Sequence, residues 1–133
     1  MILDVQRRDV GSEVTVLEFS GRMQLGNDLG LAEGRIRKLL EAGRRHLVFD
    51  CSRLEGIDSA GVGMLVVMSA STIRAGGQFR LAALTPRVAE VLQIARVHQM
   101  LGVCSDVEAA LQSLEFQDLS GAAPAKPLNE AAD

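Results

Sequence analysis

The chain has 133 residues, enough for one domain with a sizeable core, and its 47% apolar and 23% charged content is that of an ordinary soluble globular protein. A net charge of −3, with no Trp or Tyr and only four Phe, argues against a nucleic-acid binder, which needs a basic surface and stacking platforms. Met1–Arg8 has no apolar stretch of the signal-peptide kind, and the longest apolar-rich run, 60–70, is far too short for a bilayer span, so a cytoplasmic protein without membrane insertion is expected.

In chain order, 3–10 alternates loosely, Gly11-Ser12 signals a turn, and 13–19 alternates cleanly, which predicts an opening β-hairpin. Residues 21–26 read as a loop. Asn27 or Asp28 then offers an N-cap, and Leu29, Ala32, Ile36, Leu39 and Leu40 recur at helical spacing up to Gly43. Arg35, Arg37 and Lys38 fall on the other side of that helix; a solvated face explains them more simply than an acidic partner does. The run 46–51 is the strongest strand, because consecutive Leu47, Val48 and Phe49 suit a strand buried on both faces. A loop is expected over 52–57.

From Ser59 to Ala75 the spacing predicts a helix apolar almost all round, hence a buried one, closed by Gly76-Gly77. Gly61 and Gly63 each cost this helix roughly 1 kcal/mol relative to Ala, which makes sense where another backbone must come close. A strand follows at 78–84. Thr85-Pro86 then opens a helix carrying Val88, Val91, Leu92 and Ala95. Residues 102–104 read as a short last strand, and Ser105 with Glu108 as a capping box for a final helix. The expected architecture is α/β: a mixed, mostly parallel sheet opened by a β-hairpin, with about four helices, in one domain over 1–117. The Ser-, Ala- and Pro-containing stretch 118–133 reads as a flexible tail.

The candidate functional stretch is Gly56–Met64, a polar Asp58-Ser59 pair at a strand–loop–helix junction. Catalysis by Ser59 is poorly supported. A nucleophile elbow needs a glycine two residues before the serine, and that position is Ile57. The histidines, His46 and His98, are not tied to it by spacing and read as surface or interface residues. A dinucleotide fingerprint fails at Val66, where its third glycine belongs. Cys51 and Cys104 lack partners at zinc spacing and are expected as buried, reduced thiols. No enzyme, cofactor or metal is therefore expected. Two readings of Ser59 stay open: a helix cap, or a regulatory phosphoacceptor at a helix start that tolerates added negative charge.

The order of elements and the run Ile57-Asp58-Ser59-Ala60-Gly61-Val62-Gly63 resemble those of STAS-domain proteins, specifically the anti-sigma factor antagonists of bacterial partner-switching systems. The family's signature is Asp-Ser-Ser/Thr-Gly-Leu/Val-Gly, and the resemblance runs over roughly residues 3–115. Gly21, Ala75-Gly76-Gly77 and Leu84-Thr85-Pro86-Arg87-Val88 support it. It implies that Ser59 is phosphorylated by an anti-sigma factor that is itself a serine kinase. The unphosphorylated form would bind that kinase and free a sigma factor, phosphorylation would end the binding, and a phosphatase would restore it. Partner-binding residues would then be Asp58, Ala60, Gly61, Val62, Gly63 and Gln24. The sequence departs from the family at Ala60, in place of a second hydroxyl, and at Gln24, where many members are acidic. A STAS subunit of another assembly, such as a lipid-transport ATPase complex or a signalling scaffold, is the alternative.

Overall fold

A computed structural model describes residues 2–116; the tail expected over 118–133 lies outside the described residues. Five strands form one sheet in the order β1-β2-β3-β4-β5. β1 (Asp4–Val10) and β2 (Val14–Met23) are antiparallel and make the expected hairpin. β2, β3 (His46–Ile57), β4 (Phe79–Ala82) and β5 (Val103–Cys104) run parallel. The crossovers are α1 (Asn27–Glu41), α2 (Ser59–Arg74) and α3 (Pro86–Ile94), and α4 (Val107–Gln112) follows β5.

Strands added always on the same side, through right-handed crossovers, put every crossover helix on one face of the sheet. The core divides accordingly. Leu17, Phe19, Leu47, Phe49 and Leu81 pack with the inward residues of α1, α2 and α3. Val14, Val16, Val48 and Ala82 pack on the other face with Ala110 and Leu114 from the α4 end. Leu47, Val48 and Phe49 are thus consecutive and apolar because successive side chains enter different cores. Phe19, Phe49 and Phe79 form a row across three strands, neighbouring ring centroids 4.7 Å apart.

Several boundaries differ from the sequence reading. β2 extends to Met23 and β3 to Ile57, so half of the predicted loop 21–26 and all of the predicted loop 52–57 are strand. The two strands pair through register shifts near Ser20 and Arg22. Such bulges break the strict alternation by which a strand is recognised in sequence. α1 has Gly26 at its cap rather than Asn27 or Asp28, and Asp28 instead accepts the Leu3 N–H at 3.4 Å. α4 is capped by Asp106, whose carboxylate accepts the Ala109 N–H at 2.7 Å, not by Ser105. The cations of α1 are partly spent internally: Arg35 donates to the Val5 carbonyl and Arg37 pairs with Glu33.

α2 is not buried all round. Met64, Leu65 and Met68 enter the core, while Val67 and Ile73 are 42% and 60% exposed. Composition alone reads this helix as interior; position in the sheet leaves one side of it to solvent. Cys51 is buried and Cys104 half-buried, and both thiols are free. His46, expected as a surface or interface residue, is buried within this chain at the start of β3.

Candidate functional site at the carboxyl ends of the strands

In a parallel sheet the loops leaving the carboxyl ends of the strands converge on one edge. Here the loop after β2 (Gln24–Gly26) meets the junction between β3 and α2. Asp58 joins them. It takes an extended backbone conformation and caps α2: its Oδ1 accepts the Gly61 N–H at 3.0 Å. Its Oδ2 accepts the Leu25 N–H at 2.9 Å, and its own N–H donates to the Met23 carbonyl at 3.0 Å. A carboxylate that receives backbone N–H bonds is favoured in its charged form. Those from Leu25, first, and Gly61 hold the Asp58 carboxyl below the usual carboxylate range.

Because Asp58 is the cap, Ser59 is the first residue of the helix and has no capping duty. Its side chain is exposed and makes no hydrogen bond among the described residues. Gly61 is buried, and its expected place on a partner surface is corrected by what it touches. A Cβ there would lie 2.5 Å from the Met23 carbonyl oxygen and 2.6 Å from Ile57 Cγ1. The close backbone is therefore this chain's own β2. Gly63, by contrast, is exposed, and a Cβ there would meet nothing within 4 Å.

Helical spacing puts Ser59, Val62, Gly63, Val66 and Val67 on one side of α2. Val62 and Val66 are half-buried, and the row continues through Ala70 to Ile73. Gln24 is exposed in the loop that Asp58 holds, next to Leu25, which is 82% exposed. The seven residues expected from sequence thus lie at one end of the sheet, six of them with some exposure and Gly61 inside. Ala60 is half-buried and packs against the main core.

Sequence reasoning missed Met23, Leu25 and Arg22, all in the segment read as loop. Arg22 lies opposite Gly56 in the parallel register, with its guanidinium against the Gly56 backbone, where an added Cβ would come within 2.8 Å of it. The absence of a side chain at Gly56 was the available signal. Among the described residues no side chain hydrogen-bonds to Ser59 as an activating base would. His46 is at the far end of the 12-residue β3, which at ~3.3 Å per residue is more than about 30 Å away. Among the described residues no His, Cys, Asp and Glu cluster could hold a metal ion, and no helix is long and apolar enough to cross a membrane.

A family model for the STAS domain matches residues 5–110. No curated protein matches the chain. Among solved structures, a Thermotoga maritima protein described as an anti-sigma factor antagonist superposes with a TM-score of 0.77 at 21% identity, over 83% of this chain and 93% of that one. The Bacillus cell-fate determinant SpoIIAA in its phosphorylated form gives 0.66 at 18% identity, over 82% and 98%. A sulfate transporter family protein from Wolinella succinogenes gives 0.64 at 19% identity, over 79% and 87%. At these identities the likeness is one of fold.

Proposed function

The chain belongs to the STAS-domain family, and from that premise we propose that it is an anti-sigma factor antagonist, a non-enzymatic module that binds an anti-sigma factor while Ser59 is a free hydroxyl and lets go once Ser59 is phosphorylated. The observation that carries this reading is the division of work between Asp58 and Ser59. Asp58 caps the helix and ties down the neighbouring loop, so the Ser59 hydroxyl stands exposed and unspent beside an apolar strip of α2. The fold likeness to a protein obtained in phosphorylated form supports the same reading.

A phosphate on Ser59 adds about −1.5 to −2 charges. At the start of α2 the helix dipole favours it by roughly 0.3–1 kcal/mol. Asp58 opposes it by about 0.7 kcal/mol per unit charge at ~6 Å in water. For the whole phosphate the net cost is at most about 1 kcal/mol, small beside the stability of a domain, so the domain stays folded. A docked partner meets a different situation: a dianion in an otherwise apolar contact must be desolvated without a counter-charge, which costs about 2–5 kcal/mol. The switch is thus steep for binding and nearly silent for folding. The partner is a serine kinase. The Ser59 oxygen forms the new P–O bond as the bond to ADP breaks, and a base on the kinase takes the hydroxyl proton; a phosphatase reverses the step by hydrolysis. The setting of such a switch is the cytoplasm.

Incubation with the cognate kinase and ATP tests the proposal. Mass spectrometry should find one phosphate, on Ser59, and none in Ser59→Ala; phosphate on Ser59→Ala at another site refutes it. The likeness to a sulfate transporter family protein favours a second reading, a STAS subunit of a membrane transport complex. Co-purification with a membrane transporter or lipid-transport ATPase, and not with a soluble kinase, would select it.

A further inference from the structure

A buried histidine at the end of the sheet opposite Ser59 has no part in the switch. His46 opens β3, is 3% exposed, and its Nδ1 accepts the Gln78 N–H at 3.0 Å. A ring nitrogen that accepts carries no proton, so the neutral imidazole bears its hydrogen on Nε2. That nitrogen faces Glu13 Oε1 at 3.8 Å. The Gln78 side chain in turn holds the chain just after α4. Its Oε1 accepts the Glu115 N–H at 3.0 Å, and its Nε2 donates to the Glu115 carbonyl. One side-chain amide therefore satisfies both backbone groups of Glu115, as a neighbouring strand would. Phe116 completes the contact, its ring edge-on to the imidazole with centroids 5.3 Å apart. Arg80 braces the arrangement from β4 by donating to Gln78 Oε1 at 3.3 Å and to Ser113 Oγ at 2.7 Å.

We propose that His46 and Gln78 form a proton-gated clasp for the segment Leu114–Phe116, closed while the imidazole is neutral and opened by its protonation. The second proton must go to Nδ1, where it meets the Gln78 N–H donor to donor, so that of the two backbone bonds that position Gln78 only the one from the Leu47 N–H to its carbonyl is left. The charged groups around the ring come from every side. Glu13, in the hairpin turn, favours the imidazolium; Arg45, before β3, and Arg80, on β4, oppose it; Glu115 lies exposed on the clasped segment itself. Burial opposes protonation most, and the sum holds the His46 pKa below its ordinary value. A group depressed in this way contributes stability above its ordinary pKa of about 6.5, and loses it as pH falls through the lower folded value. The clasp therefore opens on the acid side. Leu114 seals α4 onto Val14, Val16 and Val48, so opening loosens the second, smaller core and leaves the Ser59 end intact.

The test is an NMR titration of the full chain from about pH 7.5 to about pH 5. The amides of Gln78, Glu115 and Phe116 are expected to move with the His46 imidazole, at one midpoint below its ordinary value, while those of α2 stay in place. His46→Asn puts an amide oxygen where Nδ1 stood, keeps the acceptor and cannot titrate, so it should stay closed throughout. Gln78→Ala removes both hydrogen bonds to Glu115 and should speed hydrogen exchange at the Glu115 amide, which donates to Gln78 Oε1, about tenfold or more already at neutral pH. Glu115 and Phe116 amides that ignore the His46 titration, or that still titrate in His46→Asn, overturn the proposal, as does loss of all signals together. Should His46→Asn not fold, unchanged exchange in Gln78→Ala at neutral pH overturns it.

Discussion

Gly61 and Gly63 are two residues apart on one helix, yet the structure assigns their alanine variants opposite signs. Alanine is a better helix former than glycine by up to about 1 kcal/mol, and at Gly63 nothing opposes that gain, because a Cβ there would meet no atom within 4 Å. Gly63→Ala should therefore stabilise the protein by about 0.5–1 kcal/mol. At Gly61 the same Cβ would stand 2.5 Å from the Met23 carbonyl oxygen and 2.8 Å from Met23 Cβ. Neither is the far end of a flexible side chain, so α2 and the end of β2 must part. Overpacking of this kind costs about 1–3 kcal/mol. The Met23 carbonyl also accepts the Asp58 N–H, and weakening that bond adds about 1 kcal/mol. After the helix gain is subtracted, Gly61→Ala should destabilise by about 1–3 kcal/mol, so the two variants should differ by about 2–4 kcal/mol. Equilibrium urea unfolding measures this directly, with the slope checked for constancy. A Gly61→Ala protein as stable as the wild type would refute the close approach, and a Gly63→Ala protein less stable than the wild type would refute the open surface.

The other predictions concern the switch and the thiols. Ser59→Asp should weaken binding to the anti-sigma factor by a factor of about 30 or more, corresponding to about 2 kcal/mol, with unfolding changed by less than about 0.5 kcal/mol; equal affinities by calorimetric titration would rule out the switch. Asp58→Ala should cost about 1–2 kcal/mol, because it removes the cap of α2. Asp58 has a lowered folded pKa, so its contribution is complete above the ordinary carboxylate value and fades as pH falls through the folded one. Asp58→Asn should flatten that part of the stability–pH profile, and an unchanged acid limb would show that Asp58 is not its source. Burial pushes the Cys51 thiol up to about 12, so an aromatic disulfide reagent at neutral pH should modify half-buried Cys104 first and Cys51 only on unfolding. Simultaneous reaction of both would contradict the packing around β3.

Element order was legible because it rests on local signals. Alternation in the hairpin, helical spacing from Leu29 to Leu39, and the unbroken Leu47-Val48-Phe49 are properties of neighbours in sequence, and they suffice for a mixed α/β sheet. The Asp58-Ser59 junction was legible for the same reason, since a short polar pair between a strand and an apolar helix is a local pattern. Three things were decided only in the tertiary structure. The bulged ends of β2 and β3 draw their pairing from each other, so each alone reads as loop. Whether Asp58 or Ser59 caps α2 depends on the Leu25 loop, which is 33 residues away in sequence and donates to the second oxygen of the capping carboxylate; that bond holds Asp58 in place as the cap and leaves the Ser59 hydroxyl unspent. The different duties of Gly61 and Gly63, and the neutral buried state of His46, depend on which backbone or side chain the fold brings alongside, and spacing along the chain carries no record of that.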